Sequence, residues 1–300
     1  MEKSHLTRRG FLKTGAAAFG ATAVGLGVGP SAGRASGYKK HRMKLSLAAY
    51  SFRDQFRSGE LTMEEFIDYC YDLGLDGTEL TSYFFESEED DYLLGLRNKC
   101  FHLGVPVSGT AIGNDFVTPK EDERRKQIQD VKYWVDKAVV LGAPTIRVFG
   151  GGQIPDGYTE QDAFDWVIPA LQECVEYAAS RGIVLAVENH GGFPLTSEQV
   201  ITIIEAVDSP WFGANLDTGN FLSDWYQQMA EVIPYTVVVQ LKVNLRSTVS
   251  GGRRIATDPE RIVRLLENEG YERYLALEYE EANPYEEIPG WIERLQELVG

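Results

Sequence analysis

Short apolar runs alternate with longer amphipathic stretches along most of this chain. Eight runs rich in aliphatic residues are bounded by Gly, Pro or Asn, which is typical of buried strands. The stretches between them repeat their apolar residues with helical spacing. The predicted strands are Leu45–Ala49, Gly77–Leu80, Val105–Gly109, Thr145–Phe149, Val184–Glu188, Phe212–Asp217, Thr236–Leu241 and Tyr274–Glu278, and the predicted helices include Thr62–Leu73, Asp90–Leu103, Arg124–Leu141, Ala163–Arg181, Ser197–Val207, Trp225–Val232 and Pro259–Glu269.

Helix start and stop signals support this alternation. Thr62 precedes two glutamates, as an N-cap residue does, and several helices end at a glycine, as at Gly104 and Gly142. Eight β/α units in about 250 residues predict a single (β/α)₈ TIM barrel over residues 43–300. A doubly wound open sheet is the alternative, but the Gly-rich phosphate loop that usually follows its first strand is missing after Ala49.

The first 37 residues have a different composition and predict an export signal with a linker. Thr7-Arg-Arg-Gly-Phe-Leu-Lys13 matches a twin-arginine signal, and the small-residue apolar stretch Gly15–Gly29 follows it. We expect the twin-arginine export machinery to be a partner, with cleavage near Ala35 and a periplasmic or extracellular location. An uncleaved membrane anchor is the alternative, although the stretch is short and rich in Gly and Ala for a membrane span.

Charge narrows the possible partners. The chain carries a net charge of −16, and its first 42 residues contain eight Lys/Arg against one Glu, so the remainder has 21 basic and 44 acidic residues, or −23. Such a surface repels nucleic acid and anionic membranes, so no nucleic-acid partner is expected. The three cysteines are an odd number at helix-like positions, which predicts buried thiols rather than disulfides.

Polar side chains lie where several predicted strands end. Glu188, Asp217 and Glu278 end the fifth, sixth and eighth strands, and Gln240 takes the comparable place on the seventh. In a TIM barrel the carboxyl ends of the strands meet at one face and carry the active site. Carboxylates within apolar strands need partners, because an isolated buried charge is costly. Three of them from separate strands indicate a shared cation.

At these residues the chain resembles the sugar phosphate isomerase/epimerase family, the xylose isomerase-like barrels that include ketose 3-epimerases and inosose dehydratases. The resemblance rests on Val187-Glu-Asn-His-Gly-Gly192, Leu216-Asp-Thr-Gly-Asn220, the strand that ends at Glu278, and Ile146-Arg-Val-Phe-Gly-Gly151. It implies a divalent metal, most typically Mn²⁺ with Mg²⁺ or Co²⁺ as alternatives, held by Glu188, Asp217, Gln240 and Glu278. It also implies that Glu188 and Glu278 flank a carbohydrate substrate as a proton-transfer pair.

The chemistry that the resemblance implies is metal-assisted enolisation. A cation on the carbonyl and hydroxyl oxygens would stabilise an enediolate, while one carboxylate removes a proton and the other returns it. Family members usually have histidine where this chain has Gln240. A glutamine carbonyl oxygen can still bind a hard cation, or the residue can be a hydrogen-bonding core amide. The expected function is therefore a sugar isomerase or epimerase.

Other roles and functions fit the same residues. His190, Asn220, Lys242 and Arg147 are candidates for binding substrate oxygens, or are structural partners of the carboxylates. Aromatic residues after strands, such as Tyr83, could stack on a sugar or pack loops. A lyase or dehydratase acting on a keto-sugar or keto-glycoside is the second hypothesis, since an enediolate can expel a β-leaving group. A non-catalytic sugar-binding barrel is the third.

Overall fold

A computed structural model describes residues 43–246 and 254–300. Its parallel strands close into a barrel with helices outside, so the predicted single TIM barrel is confirmed. Going around the barrel, each strand lies beside its neighbours in sequence, and the last strand pairs with the first. The barrel strands are β1 (Lys44–Ala48), β2 (Gly77–Thr81), β3 (Val107–Ala111), β4 (Thr145–Val148), β5 (Val184–Glu188), β6 (Phe212–Asp217), β7 (Thr236–Lys242) and β8 (Tyr274–Glu278).

Helices follow the strands and cover the barrel. Two of them, α1 and α9, were not among the predicted helices. An antiparallel pair of two-residue strands, Asn244–Leu245 with Ile255–Ala256, lies after β7. The helices are α1 (Arg53–Ser58), α2 (Met63–Asp72), α3 (Asp90–Leu103), α4 (Glu121–Leu141), α5 (Glu160–Ser180), α6 (Ser197–Val207), α7 (Trp225–Val232), α8 (Pro259–Asn268) and α9 (Pro284–Val299), with 3₁₀ turns at Ala49–Phe52, Ser82–Phe84 and Ile233–Tyr235.

The observed boundaries differ from the predicted ones mainly at β3, α4 and α5, and α4 begins at Glu121, three residues before the predicted Arg124. The third strand begins at Val107, two residues later than predicted, because Pro106 has no N–H to donate to a ladder. Helix α5 begins three residues before the predicted Ala163. Its N-cap is Thr159, which forms a capping box with Asp162.

The barrel strands carry both apolar core residues and buried polar residues. Leu185, Val187, Leu216 and Leu277 are fully buried, and they belong to the apolar core that also takes in buried helix residues. Polar residues on β5 to β8 are buried as well, namely Glu188, Asn215, Asp217, Gln240 and Glu278. The buried polar side chains of these strands therefore lie where the sequence predicts a site.

Strand register fixes which polar residues are neighbours. Glu278 on β8 lies beside Lys242 on β7, and Asp217 on β6 lies beside Gln240. On the other side of the site, Glu188 on β5 pairs with Asn215. Because all of these strands are parallel, their carboxyl ends open at one face of the barrel.

Several sequence predictions concern residues outside the described part. The twin-arginine motif, the apolar stretch after it and the cleavage site all lie before residue 43. In the described ranges no helix combines the length and apolarity needed to cross a membrane. Cys70, Cys100 and Cys174 are buried and unbonded, as predicted, and burial raises the pKa of each thiol to about 12.

Candidate active site

Glu188 and Arg147 form a buried ion pair on neighbouring strands. The Arg147 Nε atom lies 3.0 Å from Glu188 Oε2, and the side chains are 7% and 5% exposed. Arg147 is held from the other side by hydrogen bonds that its Nη1 donates to Tyr83 Oη and to the carbonyl oxygen of Ile112, at 3.2 and 2.7 Å. Phe149 also lies under the guanidinium, at 4.0 Å from the ring centroid. Arg147 is therefore fixed beside Glu188.

Lys242 lies among three carboxylates. Its Nζ atom is 3.3 Å from Asp217 Oδ2, 2.9 Å from Glu278 Oε2 and 3.0 Å from Glu280 Oε1. The Lys242 side chain is only 8% exposed. An ammonium group has three N–H donors, so this side chain has as many carboxylate neighbours as donors. We call Lys242, Asp217, Glu278 and Glu280 the lysine cage.

Gln240 lies deeper in the barrel and binds two side chains. Its carbonyl oxygen accepts a hydrogen bond of 2.6 Å from Asn215 Nδ2. Its Nε2 donates across the barrel to Glu79 Oε1, at 3.0 Å. Both polar ends of Gln240 are thus engaged inside the protein, which matches the core-amide alternative.

Burial dominates the electrostatics of the acidic groups. It raises the pKa of Glu188 well above 4.5, against the opposing effect of Arg147. Burial likewise raises the pKa of Asp217 to about 7, although Lys242 opposes it, and that of Glu79 to about 7, with Glu278 adding repulsion. Asp217 and Glu79 can therefore hold or release protons near neutral pH.

Two members of the lysine cage, Lys242 and Glu280, have pKa values shifted toward their charged forms. Burial acts against the charge of Lys242, but Asp217, Glu278 and Glu280 outweigh it and raise the lysine pKa well above 10.5. Burial of Glu280 would raise its pKa, yet Lys242 and Arg246 lower it on balance. Lys242 is thus a permanent positive charge at neutral pH.

Asn220 and His190 lie at the mouth of the barrel. Asn220 Nδ2 donates to Glu188 Oε1 at 3.2 Å. The exposed His190 ring lies 4.5 Å from the Phe149 ring, centroid to centroid. Desolvation and the charges of Arg147 and Lys242 lower the pKa of His190 to about 4, so its imidazole is neutral at pH 7. Both side chains can offer hydrogen bonds to a polar ligand.

Two buried oxygen atoms at this face have no hydrogen-bond donor among the described residues. Asp217 Oδ2 and Asn220 Oδ1 accept no hydrogen bond from residues 43–246 or 254–300, although Asp217 Oδ2 lies 3.3 Å from the charged Lys242 Nζ. Buried polar atoms are normally paired, and unpaired ones require an explanation such as a bound ligand or water. Both atoms lie next to groups that were predicted to bind substrate.

The predicted divalent cation does not fit the side chains in this arrangement. Asp217 and Glu278 share the ammonium of Lys242, while Glu188 faces Arg147 and the Gln240 carbonyl oxygen accepts from Asn215. Within the described residues, His, Cys, Asp and Glu side chains form no group of three or more that could hold a metal ion. The Mn²⁺ dependence therefore stays a prediction from the sequence.

The structure brings together the residues predicted for the site and adds three more. Glu79 is on β2, and the signal that could have found it is an acidic residue inside a short predicted strand, here Gly-Thr-Glu-Leu-Thr with all five residues buried. Glu280 follows Glu278 by two residues, which directs both to the same side of the chain. Asn215 likewise precedes Asp217 by two residues on β6. Arg254, in the segment after β7, forms an ion pair with Glu281.

Known structures share this fold at low sequence identity. A probable 3-DHS dehydratase, AsbF, from Bacillus anthracis has a TM-score of 0.69 and 16% identity, covering 85% of this chain and 99% of that chain. D-psicose 3-epimerase from Clostridium cellulolyticum H10 has a TM-score of 0.65 and 15% identity, covering 80% and 86%. The 3-keto-D-glucoside 4-epimerase YcjR from E. coli has a TM-score of 0.64 and 15% identity, covering 84% of this chain and 100% of that chain.

These identities establish the shared fold and leave the reaction open. The search of curated protein sequences returned no match. A family model described as xylose isomerase-like TIM barrel matches residues 67–297, which include all of the site strands from β2 to β8. By its fold and by this match, the chain belongs to the xylose isomerase-like TIM barrel family.

Proposed function

We propose that this protein is an isomerase or epimerase that moves a proton at a carbon next to the carbonyl of a sugar or sugar derivative. The main support is the pair of carboxylates Glu188 and Glu278, which end strands β5 and β8 at the mouth of the barrel and are both buried. Each has its own cationic neighbour, Arg147 or Lys242. Two separately held carboxylates are what removal and return of a proton require.

The two carboxylates act in turn on the substrate. One takes the proton from the carbon beside the carbonyl, which leaves an enediolate, and the other returns a proton to it. Return to the same carbon from the opposite face inverts that carbon, as in an epimerase, whereas return to the former carbonyl carbon moves the carbonyl, as in an isomerase. Burial raises the pKa of Glu188, and repulsion from Asp217 and Glu278 adds to this effect. A raised pKa favours protonation of a carboxyl, which is the direction that a catalytic acid requires.

Other side chains would bind and orient the substrate. Arg147 supplies positive charge next to Glu188, where negative charge develops on the substrate oxygens. Asn220 and the neutral His190 offer hydrogen bonds at the mouth, in keeping with a hydroxyl-rich ligand.

Proton exchange in D₂O tests this function. The purified full chain is incubated with a panel of keto-sugars and keto-glycosides, with and without Mn²⁺, and deuterium at carbon is followed by NMR. We expect exchange with at least one substrate, and a loss of roughly 10²–10⁴-fold in Glu188→Gln and Glu278→Gln. Turnover that is equal in both variants and the parent contradicts the proton-transfer roles.

The same experiment separates the alternatives. A lyase or dehydratase releases a second product, whereas an isomerase or epimerase gives one product that differs in formula from the substrate only by the deuterium taken up. The 3-DHS dehydratase among the structures of this fold makes that comparison worthwhile. A sugar-binding barrel without activity gives saturable binding and no exchange, and its affinity is the same in Glu278→Gln.

We also propose export of the chain by the twin-arginine machinery. The support is the sequence Arg8-Arg9 followed by Phe11-Leu12-Lys13 and a small-residue apolar stretch. The expected result is accumulation of the full-length chain outside the cytoplasm when it is expressed in a host with this machinery. Replacing both arginines by lysine should retain it inside, and equal export of the variant would contradict the proposal.

A further inference from the structure

We infer that Lys242 is the resident cation of this site: its ammonium group occupies the place among the strand-end carboxylates that a divalent metal was predicted to take. The lysine cage brings carboxylates from β6, from β8 and from just after β8 to within 3.3 Å of one nitrogen atom. A compact ammonium charge can balance such a cage without another ion, although Asp217 Oδ2 contacts it only as a charge neighbour at 3.3 Å and accepts no hydrogen bond from the described residues. The inference deepens the proposed function, because it rests on the same site.

The backbone of Lys242 is fixed on both sides. Its N–H donates to Thr218 Oγ1 at 2.9 Å, and its carbonyl oxygen accepts from Thr257 Oγ1 at 2.6 Å. Gly219 packs so closely on the stem that a Cβ there would lie 2.7 Å from Lys242 Cβ and Cγ. The lysine side chain therefore leaves the strand in one direction, toward Asp217 and Glu278.

The predicted metal ligands outside the cage are engaged elsewhere. The Gln240 carbonyl oxygen accepts from Asn215, and the Gln240 amide group donates to Glu79. Glu188 faces Arg147 at 3.0 Å. For a metal to bind all four predicted ligands, it would have to break three sets of buried contacts and leave the Arg147 and Lys242 charges without partners, which is costly.

Electrostatic repulsion also disfavours a divalent metal ion in the lysine cage. A divalent ion in the cage would lie within a few ångströms of the Lys242 ammonium, and the two positive charges would repel each other in a buried site. Removing the lysine charge reverses this situation, because Asp217, Glu278 and Glu280 then lose the cationic side chain that, among residues 43–246 and 254–300, lies within 3.3 Å of all three carboxylates. Three carboxylates around an open position are suitable ligands for Mn²⁺.

The test measures Mn²⁺ binding to the full-length parent and to Lys242→Met, which keeps the length of the side chain without its charge. Metal content after dialysis and the fraction of free Mn²⁺ by EPR are the readouts. We expect the parent to retain no stoichiometric Mn²⁺, and Lys242→Met to bind about one ion per chain at least tenfold more tightly than the parent. Lys132→Met is the matched control: it also removes one positive charge, but from a pair with the single carboxylate of Glu173.

Two results overturn the inference. One is a parent that holds one Mn²⁺ per chain, and the other is a folded Lys242→Met that binds Mn²⁺ no better than the parent or the Lys132→Met control. If Lys242→Met does not fold, Lys242→Gln takes its place, and the metal content of the parent decides independently. Since these readouts need no turnover, an inactive protein with the expected metal binding refutes the proposed function alone.

Discussion

At the scale of single residues, the Glu188–Arg147 ion pair carries a large desolvation cost. Both side chains are almost fully enclosed, and burial works against the charge of each. Removing one partner of such a pair leaves the other charge buried alone. We expect Arg147→Gln to lower the free energy of unfolding by about 3 kcal/mol, measured by urea denaturation.

A double-mutant cycle shows whether this loss comes from the unpaired charge. Arg147→Gln combined with Glu188→Gln removes both charges, so we expect it to be more stable than Arg147→Gln alone. The exposed pair of Arg294 and Glu260, at 2.8 Å, is the control, and its single variants should lose less than about 1 kcal/mol. Additive losses at Arg147 and Glu188 would contradict the coupling.

Glu79 gives a stability prediction that depends on pH. Its pKa is raised from 4.5 to about 7 in the folded protein, so ionising it is harder in the folded than in the unfolded chain. Stability from this group is therefore complete below about pH 4.5 and is lost as pH rises to about 7. We expect Glu79→Gln to gain roughly 1–3 kcal/mol over the parent between pH 5 and pH 8.

Denaturation curves of both proteins at the two pH values measure this difference. Glutamine at position 79 keeps a carbonyl oxygen to accept from Gln240, so the variant changes charge more than contacts. The exposed substitution Glu176→Gln is the control and should behave like the parent. A Glu79→Gln difference that is the same at pH 5 and pH 8 would show that the carboxyl does not titrate as described.

The sequence predicted most of the residues in the site but only some of their partners. Strand ends in a barrel meet at one face, so Glu188, Asp217 and Glu278 could be grouped from local patterns alone. The bond from Gln240 to Glu79 crosses between strands that are not neighbours. No periodicity encodes such a contact, because it depends on side-chain rotamers inside the closed barrel.

At the scale of elements, the turn after β6 sets the position of the lysine cage. Gly219 donates its N–H to Asp217 Oδ1 at 2.7 Å and lies directly against the Lys242 side chain. A methyl group there would also come within 2.8 Å of the Asn244 carbonyl oxygen. We expect Gly219→Ala to cost about 1–3 kcal/mol in the free energy of unfolding and to lower activity by displacing Lys242.

Gly191 offers a control for this turn because it also follows a site strand but has nothing within 4 Å of an added Cβ. Gly191→Ala should therefore leave both stability and activity close to those of the parent. Denaturation and the deuterium-exchange assay are measured on both variants. Equal losses of stability and activity in Gly219→Ala and Gly191→Ala would show that contact with Lys242 is not the reason why position 219 needs a glycine.

Element types were easier to predict than element ends. Apolar runs predicted the strands correctly because each strand is buried on its helix-facing side. Two boundaries differ because Pro106 cannot donate a backbone hydrogen bond and Thr159 caps a helix, and a hydrophobic pattern contains neither signal. Helix α9 carries a proline inside, at Pro289, which weakens a helical signal in the sequence. Tertiary packing on the barrel offsets that cost.

At the scale of the whole molecule, the acidic surplus predicts a dependence on salt. The chain has a net charge of −16, and like charges on a compact protein repel one another. Salt screens that repulsion, so we expect Tm to rise by about 2–4 °C, or roughly 1 kcal/mol, between 10 mM and 500 mM NaCl at pH 7. Differential scanning calorimetry measures it.

The same salt series near pH 4.8, the isoelectric point of the chain, is the control. Net repulsion is then small, so the rise in Tm should be smaller than at pH 7. An equal rise at both pH values would indicate a general salt effect rather than screening of charge.

The bonds from Gln240 to Asn215 and Glu79 have an evolutionary consequence. Position 240 cannot change to histidine on its own without leaving the Asn215 amide and the Glu79 carboxyl to find new partners inside the barrel. Substitutions at positions 79, 215 and 240 should therefore be inherited together. In an alignment of relatives, chains with histidine at 240 are expected to differ from this one at 79 or 215 as well, so that the lineage carrying glutamine forms a recognisable branch of its own.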